Sequence, residues 1–125
     1  MDATTAKSVL ILEDEPLIAL DHDLHVGRAG FTQITIFSSC AAAHEWLRSH
    51  VPTVALLDVR LRDGPCPDIA TLLKNKSVPF VVCSGSSMED ADLAFRHGIW
   101  VTKPCLPDDL IAALTQAKAK VASKA

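Results

Sequence analysis

The sequence has 125 residues, enough for one domain that buries about two thirds of the surface of its unfolded chain. Apolar residues make up 49% and charged residues 22% of the chain, and the net charge of −3 excludes the strongly basic surface that direct nucleic-acid binding requires. No apolar run reaches the ~20 residues of a membrane-spanning helix and the first residues lack a signal-peptide pattern, so we expect one cytoplasmic domain over residues 1–125.

The first predicted strand is Ser8–Leu12, an apolar run followed directly by the three acids Glu13–Glu15. Pro16 suits the first turn of a helix, and the glycines within residues 27–30 offer places for that helix to end. Leucines recur at helical spacing and predict that this first helix is amphipathic: Leu17, Leu20 and Leu24.

The second predicted strand, Gln33–Phe37, alternates and is rich in β-branched residues, which favours a place near the edge of a sheet. Ser38 or Ser39 can cap the helix that follows. The third strand, Val54–Asp58, is a continuous apolar run, as in a parallel sheet covered by helices on both faces. Because ligands bind beyond the carboxyl ends of such strands, Asp58 is the first candidate for a functional residue.

Residues 60–65 are polar and predict a loop before a short third helix. A fourth strand, Val78–Cys83, ends at Ser84–Gly85, and the serines there can cap a helix whose first turn holds Glu89 and Asp90. This helix is short, because Gly98 follows closely.

The fifth predicted strand, Ile99–Thr102, is closed by Lys103–Pro104. Pro107 begins the last helix. Its apolar stripe comprises Leu110, Ile111, Leu114, Ala117 and Val121.

Five strands, each followed by a helix, predict a doubly wound α/β fold with a five-stranded parallel sheet. The favoured strand order is 2-1-3-4-5, one of the common orders for such folds. The first and third strands are then neighbours, so Glu13, Asp14 and Asp58 are expected to converge. Ser84 and Lys103 arrive from the adjacent strands.

Together these positions resemble the receiver domain of two-component response regulators, which has a flavodoxin-like fold. The resemblance rests on Glu13–Pro16, on Asp58, on Ser84–Gly85 and on Lys103–Pro104, each at the end of a predicted strand. It extends from about residue 7 to about residue 121.

The resemblance implies a Mg²⁺ site. Two carboxylates about 4 to 5 Å apart repel by on the order of 3 to 4 kcal/mol at an effective dielectric near 20, so three acids in one place favour a cation. By analogy with receivers, Asp14 and Asp58 are direct ligands, the backbone carbonyl of Arg60 is a further ligand, and Glu13 acts through water.

The resemblance also implies the chemistry. Asp58 would take a phosphoryl group from a histidine kinase or a histidine phosphotransfer protein, and Lys103 would neutralise charge on the group. Ser84 would then bind a phosphoryl oxygen, and Trp100, at a position where receivers usually have Tyr or Phe, would act as the switch residue. A cis peptide at Lys103–Pro104 and dimerisation through the fourth helix, fifth strand and fifth helix are also common in receivers.

The leading functional prediction is a single-domain receiver without an output domain, not a turnover enzyme, that acts through a protein partner or as a phosphate relay or sink. One alternative is a binding module that works without phosphorylation. Another is an aspartate-nucleophile phosphohydrolase, but such enzymes typically carry an acid where this chain has Arg60. Taken singly, Glu13–Glu15 could be dipole-favouring acids, Ser84 a helix cap and Lys103 a solvated cation.

The remaining polar residues carry weaker hypotheses. His22 and His25 are expected to be solvated, and a metal-ligand role for them is the less favoured reading. No cysteines form a C-x-x-C pair, so reduced thiols packed as small core residues are expected: Cys40, Cys66, Cys83 and Cys105. A redox pair of Cys83 and Cys105 beside the site is the less favoured alternative.

Overall fold

A five-stranded parallel sheet forms the centre of the protein, whose computed structural model describes residues 7–85 and 92–124. Its strands are β1 (Ser8–Leu12), β2 (Gln33–Phe37), β3 (Val54–Asp58), β6 (Phe80–Ser84) and β7 (Ile99–Thr102). Their order in the sheet is β2-β1-β3-β6-β7. Since β6 and β7 are the fourth and fifth predicted strands, the predicted order is confirmed.

Helices cover both faces of the sheet. They are α1 (Pro16–Arg28), α2 (Cys40–Leu47), α3 (Pro67–Asn75) and α4 (Pro107–Lys124). Prolines begin α1 and α4, and the Ser39 hydroxyl accepts from the Ala42 N–H at 3.2 Å to cap α2, as the sequence predicts. Among the helices of the described ranges, none is both long and apolar enough to cross a membrane.

The segment before β7 differs from the predicted helix in its described part. A short 3-10 helix spans Leu93–His97, and the carboxylate of Asp92 caps it by accepting from the Ala94 N–H at 2.9 Å. Glu89 and Asp90, which the sequence places in a first helical turn, lie outside the described residues. So does the side chain of Val121.

Alternating residues of the buried strands build a core on each face of the sheet. On one face, Leu10, Leu57 and Val82 pack with α2, α3 and the side chain of Phe95. On the other face, the intervening strand residues pack with α1 and α4: Val9, Ile11, Leu56 and Val81. Strands buried on both faces in this way read as continuous apolar runs in the sequence.

The first helix turns a different face to the core than its leucines predict. Leu17, Leu20 and Leu24 are 72%, 63% and 50% exposed, whereas His22 and Val26, four residues apart, are buried. The expectation that His22 is solvated is therefore wrong. It lies on the side of α1 that packs against the sheet, because residues four apart share one helix face.

The polar segment after β3 is ordered as a hairpin rather than an irregular loop. Its strands are β4 (Arg60–Leu61) and β5 (Gly64–Pro65). The Asp63 carboxylate accepts from the N–H groups of Cys40 (2.8 Å) and Ala41 (3.2 Å) at the start of α2. These bonds hold the hairpin beside α2, because the first N–H groups of a helix have no partner within it.

All four cysteines are paired, so the expectation of reduced thiols is wrong. Disulfides join Cys40 to Cys66 and Cys83 to Cys105, with Cα atoms 5.9 and 6.4 Å apart. The partners are distant in sequence but lie within the usual bridging distance, because the sheet order brings their strand and helix ends together.

The backbone at Gly98 packs so closely against Phe80 that the turn before β7 has no room for a side chain there. A Cβ atom there would lie 2.5 Å from two ring carbons of Phe80 and 2.8 Å from its backbone oxygen. We predict that Gly98→Ala lowers the free energy of unfolding by ~1 to 3 kcal/mol, measured by urea denaturation, because Phe80 is packed in the core and must shift. Gly85→Ala is the matched control, since no atom of the described residues lies within 4 Å of a Cβ at that position. Equal stability of the two variants would contradict the account.

Candidate functional site

Three acids meet where β1 and β3 end. Leu12 and Leu57 are partners in the parallel register, so Glu13 and Asp58, the residues that follow them, lie at the same level. Asp14 comes next along the chain. One carboxylate oxygen from each of the three acids lies within 4.8 Å of the others. The structure thus brings together the three acids that the sequence places at strand ends.

Lys103 provides the positive charge of this pocket. Its Nζ donates to Asp58 Oδ2 at 3.1 Å and lies 4.0 Å from Glu13 Oε1. The backbone N–H of Lys103 donates to the Ser84 carbonyl at 2.9 Å, which continues the pairing of β6 with β7 beyond the strands. The peptide between Lys103 and Pro104 is cis, as predicted. One ammonium therefore faces two of the three carboxylates.

Glu13 is the buried acid of the cluster and is only 3% exposed. Burial raises the pKa of Glu13 to about 7, the Asp58 carboxylate adds to the increase, and the Glu15 N–H and the Lys103 ammonium oppose it. The Glu15 N–H donates to Glu13 Oε2 at 3.1 Å. At neutral pH without a bound cation, Glu13 therefore holds a proton part of the time.

His22 borders the same pocket, and the sequence did not identify it as a site residue. Its Nε2 lies 3.9 Å from Glu13 Oε1. Burial, and then the nearby Lys103 ammonium, lower the pKa of His22, which favours the neutral imidazole. The available signal was its spacing of four residues from Val26, which puts both side chains on one helix face.

Asp14 lies at the outer side of the pocket and is exposed, whereas the Asp58 side chain is only 10% exposed. The Arg60 N–H donates to Asp58 Oδ1 at 3.2 Å, and the Arg60 side chain is exposed where the hairpin begins. Asp58 is therefore held by Arg60 on one oxygen and by Lys103 on the other. A role for the Arg60 carbonyl as a metal ligand remains a prediction.

Ser84 and Trp100 lie on β6 and β7, the two strands beyond β3 in the sheet. Asp58 is the register partner of Cys83, so Ser84, which is buried, stands one residue beyond Asp58 on the neighbouring strand. Trp100 pairs with Val82 and thus shares a sheet face with Ser84.

The Trp100 indole N–H is buried and has no hydrogen-bond partner among the residues that the structure describes. An unsatisfied buried donor costs about 1 to 3 kcal/mol. Trp100 also packs against the core cluster that contains Phe95. Its movement as a switch remains a prediction.

The donor set fits Mg²⁺. This ion prefers oxygen ligands at about 2.0 to 2.1 Å, so two oxygens on one ion lie at most about 4.2 Å apart. The Asp14 and Asp58 oxygens are already within 4.8 Å of each other and need only a small contraction, and the Glu13 oxygen lies within the same distance of both, where it can act through water. A cation also offsets the mutual repulsion of the three acids, which Lys103 alone balances incompletely.

Comparison with known proteins places the chain beside receivers. The family model of the response regulator receiver domain matches residues 9–115, and no curated protein matches the sequence significantly. SdrG from Sphingomonas melonis Fr1 is 30% identical, with 95% of this chain and 99% of that chain covered and a TM-score of 0.77. A response regulator receiver protein from Sinorhizobium medicae WSM419 is 25% identical, with 95% and 99% covered and a TM-score of 0.83. The response regulator PhyR from Brucella abortus is 26% identical with a TM-score of 0.81; the match covers 95% of this chain and 50% of PhyR.

The raised pKa of Glu13 makes stability depend on pH when no divalent cation is present. Between pH 4.5 and about 7 the folded protein binds more protons at Glu13 than the unfolded chain does, so stability falls as pH rises through this range. We predict that the Glu13→Gln variant lacks this part of the decrease in the free energy of unfolding, which in the wild type is at most about 3 kcal/mol. Urea denaturation from pH 5 to pH 8 measures the difference.

Glu45→Gln serves as the control for this prediction, because Glu45 pairs with Arg48 on the surface and both side chains are mostly exposed. It should retain the pH dependence of the wild type. Parallel stability curves for the wild type and Glu13→Gln would show that burial does not perturb Glu13.

Proposed function

The chain belongs to the response regulator receiver family, and from that membership we propose that Asp58 is its phosphoacceptor. The observation that carries this proposal is the position of Asp58, which lies 3.1 Å from the Lys103 ammonium and has a carboxylate oxygen within 4.8 Å of the two other acids of the pocket. A carboxylate in a cleft with convergent acids and a lysine is a functional-site arrangement more often than a structural one.

The proposed reaction transfers a phosphoryl group from a phosphohistidine on a protein donor. An Asp58 oxygen attacks phosphorus, the bond between phosphorus and the imidazole nitrogen breaks, and the bonding electron pair stays on that nitrogen. The product is an acyl phosphate on Asp58. The donor is a histidine kinase or a histidine phosphotransfer protein.

Each site residue has a role in this transfer. Receivers bind Mg²⁺ at an acidic pocket, and here Asp14, Asp58 and the Arg60 carbonyl would hold the ion, with Glu13 acting through water, so that it neutralises phosphoryl oxygens. Lys103, already beside Asp58, supplies a second positive charge to the transferred group. The Arg60 N–H keeps Asp58 oriented through its bond to Oδ1.

We propose that the switch begins at Ser84. Phosphorylation adds roughly −1.5 to −2 charge and new acceptor oxygens, to which the Ser84 hydroxyl donates. Movement of Ser84 would alter the packing of Trp100, which shares its sheet face and has a buried N–H without a partner in the described part of the chain. The surroundings of the Trp100 side chain therefore change on phosphorylation, whether or not the side chain rotates.

The exposed leucines of α1 offer the donor a surface to pack on. Leu17, Leu20 and Leu24 are at least half exposed, and they lie on the helix that begins directly after the acids Glu13–Glu15, with Leu17 in its first turn. Apolar side chains grouped in this way on a surface mark an interaction site. A protein that delivers its phosphohistidine to Asp58 binds at the carboxyl ends of the strands and covers these leucines.

This function is binding and signalling rather than turnover. Residues 1–125 act as one receiver domain that changes its own phosphorylation state at Asp58 and passes the change to a protein partner, or serves as a phosphate relay or sink.

Phosphorylation of Asp58 is tested by intact-mass spectrometry. Incubation with Mg²⁺ and acetyl phosphate should add one phosphoryl mass to the wild type and none to Asp58→Asn, because the amide is not a nucleophile. Omission of Mg²⁺ should slow the modification strongly. Equal modification of the two proteins, or none of either, would rule out Asp58 as the phosphoacceptor.

The donor surface is tested by Leu20→Asp. We predict at least a ~10-fold slower transfer from an autophosphorylated histidine kinase, because a buried charge at an interface centre is costly, with unchanged phosphorylation by acetyl phosphate. Val51→Asp is the matched control, since Val51 is 64% exposed and precedes the amino end of β3, at the end of the strand opposite to Asp58. If both variants slow transfer equally, the leucine surface is not where the donor binds.

A further inference from the structure

The disulfide between Cys83 and Cys105 lies directly beside the residues that would handle the phosphoryl group. Cys83 immediately precedes Ser84 and is the register partner of Asp58. Cys105 follows Lys103–Pro104. We infer that these two cysteines form a reversible thiol oxidation site that positions Lys103, an inference that rests on the proposed function of Asp58.

The segment from Lys103 to Cys105 is attached to β6 at both of its ends. At the first end, the Lys103 N–H donates to the Ser84 carbonyl at 2.9 Å. Two residues later, the disulfide joins Cys105 to the residue before Ser84, with Cα atoms 6.4 Å apart. Lys103 and Pro104 therefore lie in a small ring closed at both ends on β6, and this ring directs the Lys103 side chain towards Asp58.

The second disulfide shows how differently the other side of the pocket is built. The bridge between Cys40 and Cys66 links α2 to the start of α3. The same region is already joined by both Asp63 oxygens and by the Arg62 N–H, which donates to the Ser38 carbonyl at 3.1 Å. Opening that bridge leaves these hydrogen bonds in place, so the hairpin keeps its position.

The chemistry requires a disulfide oxidant of low molecular weight. Cys105 is partly exposed whereas Cys83 is 2% exposed, so the oxidant reaches Cys105 first. The Cys105 thiolate attacks the small disulfide, which releases one thiol and leaves a mixed disulfide. The Cys83 thiolate then attacks the Cys105 sulfur and releases the second thiol. Two electrons pass from the protein to the oxidant, each cysteine loses one proton, and a dithiol reductant reverses the reaction.

The consequence is a faster receiver in the oxidised state. With the bridge closed, the Lys103 ammonium is held at Asp58 before the phosphodonor arrives. With the bridge open, the loop keeps the Lys103–Ser84 backbone bond but gains freedom at Cys105, so Lys103 spends less time in position. Misplacement of a charge-stabilising group by a fraction of an ångström slows group transfer severalfold.

The experiment compares the phosphorylation rate of oxidised and dithiol-reduced protein with acetyl phosphate and Mg²⁺. The oxidised wild type should be at least ~3-fold faster than the reduced wild type. Cys105→Ser should match the reduced wild type and ignore the oxidant. A Cys40→Ser, Cys66→Ser double variant should keep the full redox response, because it retains the other bridge.

Two further measurements identify the cause. Peptide mapping of the oxidised protein should find Cys83 linked to Cys105, whatever the phosphorylation result. In Lys103→Met, which should be slow in both states, oxidation should no longer change the rate, because the bridge acts through the Lys103 ammonium.

The outcomes are distinguishable. A mapped bridge with equal rates in the two redox states would overturn the inference and leave Asp58 as the phosphoacceptor. Failure of both states to be phosphorylated would overturn the proposed function, and control by the bridge with it. A redox response that persists in Cys105→Ser or in Lys103→Met would also overturn the inference.

Discussion

The site depends on one ion pair. The Lys103 ammonium lies 3.1 Å from Asp58 and 4.0 Å from Glu13, in a pocket that also holds Asp14. Two carboxylates about 4 to 5 Å apart repel by on the order of 3 to 4 kcal/mol at an effective dielectric near 20, so one ammonium cannot balance three carboxylates. The remaining charge is relieved by a proton on Glu13 or by a divalent cation. This incomplete balance explains both the raised pKa of Glu13 and the fit to Mg²⁺.

The two sides of the pocket are held in different ways. The hairpin beside Asp58 is fixed to α2 by Asp63, Arg62 and a disulfide, and so forms a rigid wall. The Lys103 side follows β7 with one backbone hydrogen bond to Ser84 and one disulfide between Cys83 and Cys105. Movement within the site is therefore expected around Lys103, Ser84 and Trp100 rather than around the hairpin.

Strand positions and acidic residues were readable from the sequence, because strands buried on both faces appear as apolar runs and their last residues are polar. Asp58 is an example. The core face of α1 could not be predicted from the sequence, because it carries His22 while the more apolar Leu20 faces solvent. A helix that uses its inward face for a polar site misleads any argument from hydrophobicity alone. The pairing of Cys83 with Cys105 was only the less favoured prediction and that of Cys40 with Cys66 was not predicted, since the partners are 22 and 26 residues apart and only the fold brings them together.

We expect acids from separate strands to form one cation site balanced by Lys103. A Mg²⁺ titration followed by amide NMR chemical shifts measures this. Saturable shifts should be confined to the residues around Glu13, Asp14, Asp58 and Lys103, and should be lost in Asp14→Asn. Shifts centred instead on the α1 acids Asp21 and Asp23, or no saturable shifts at all, would contradict it.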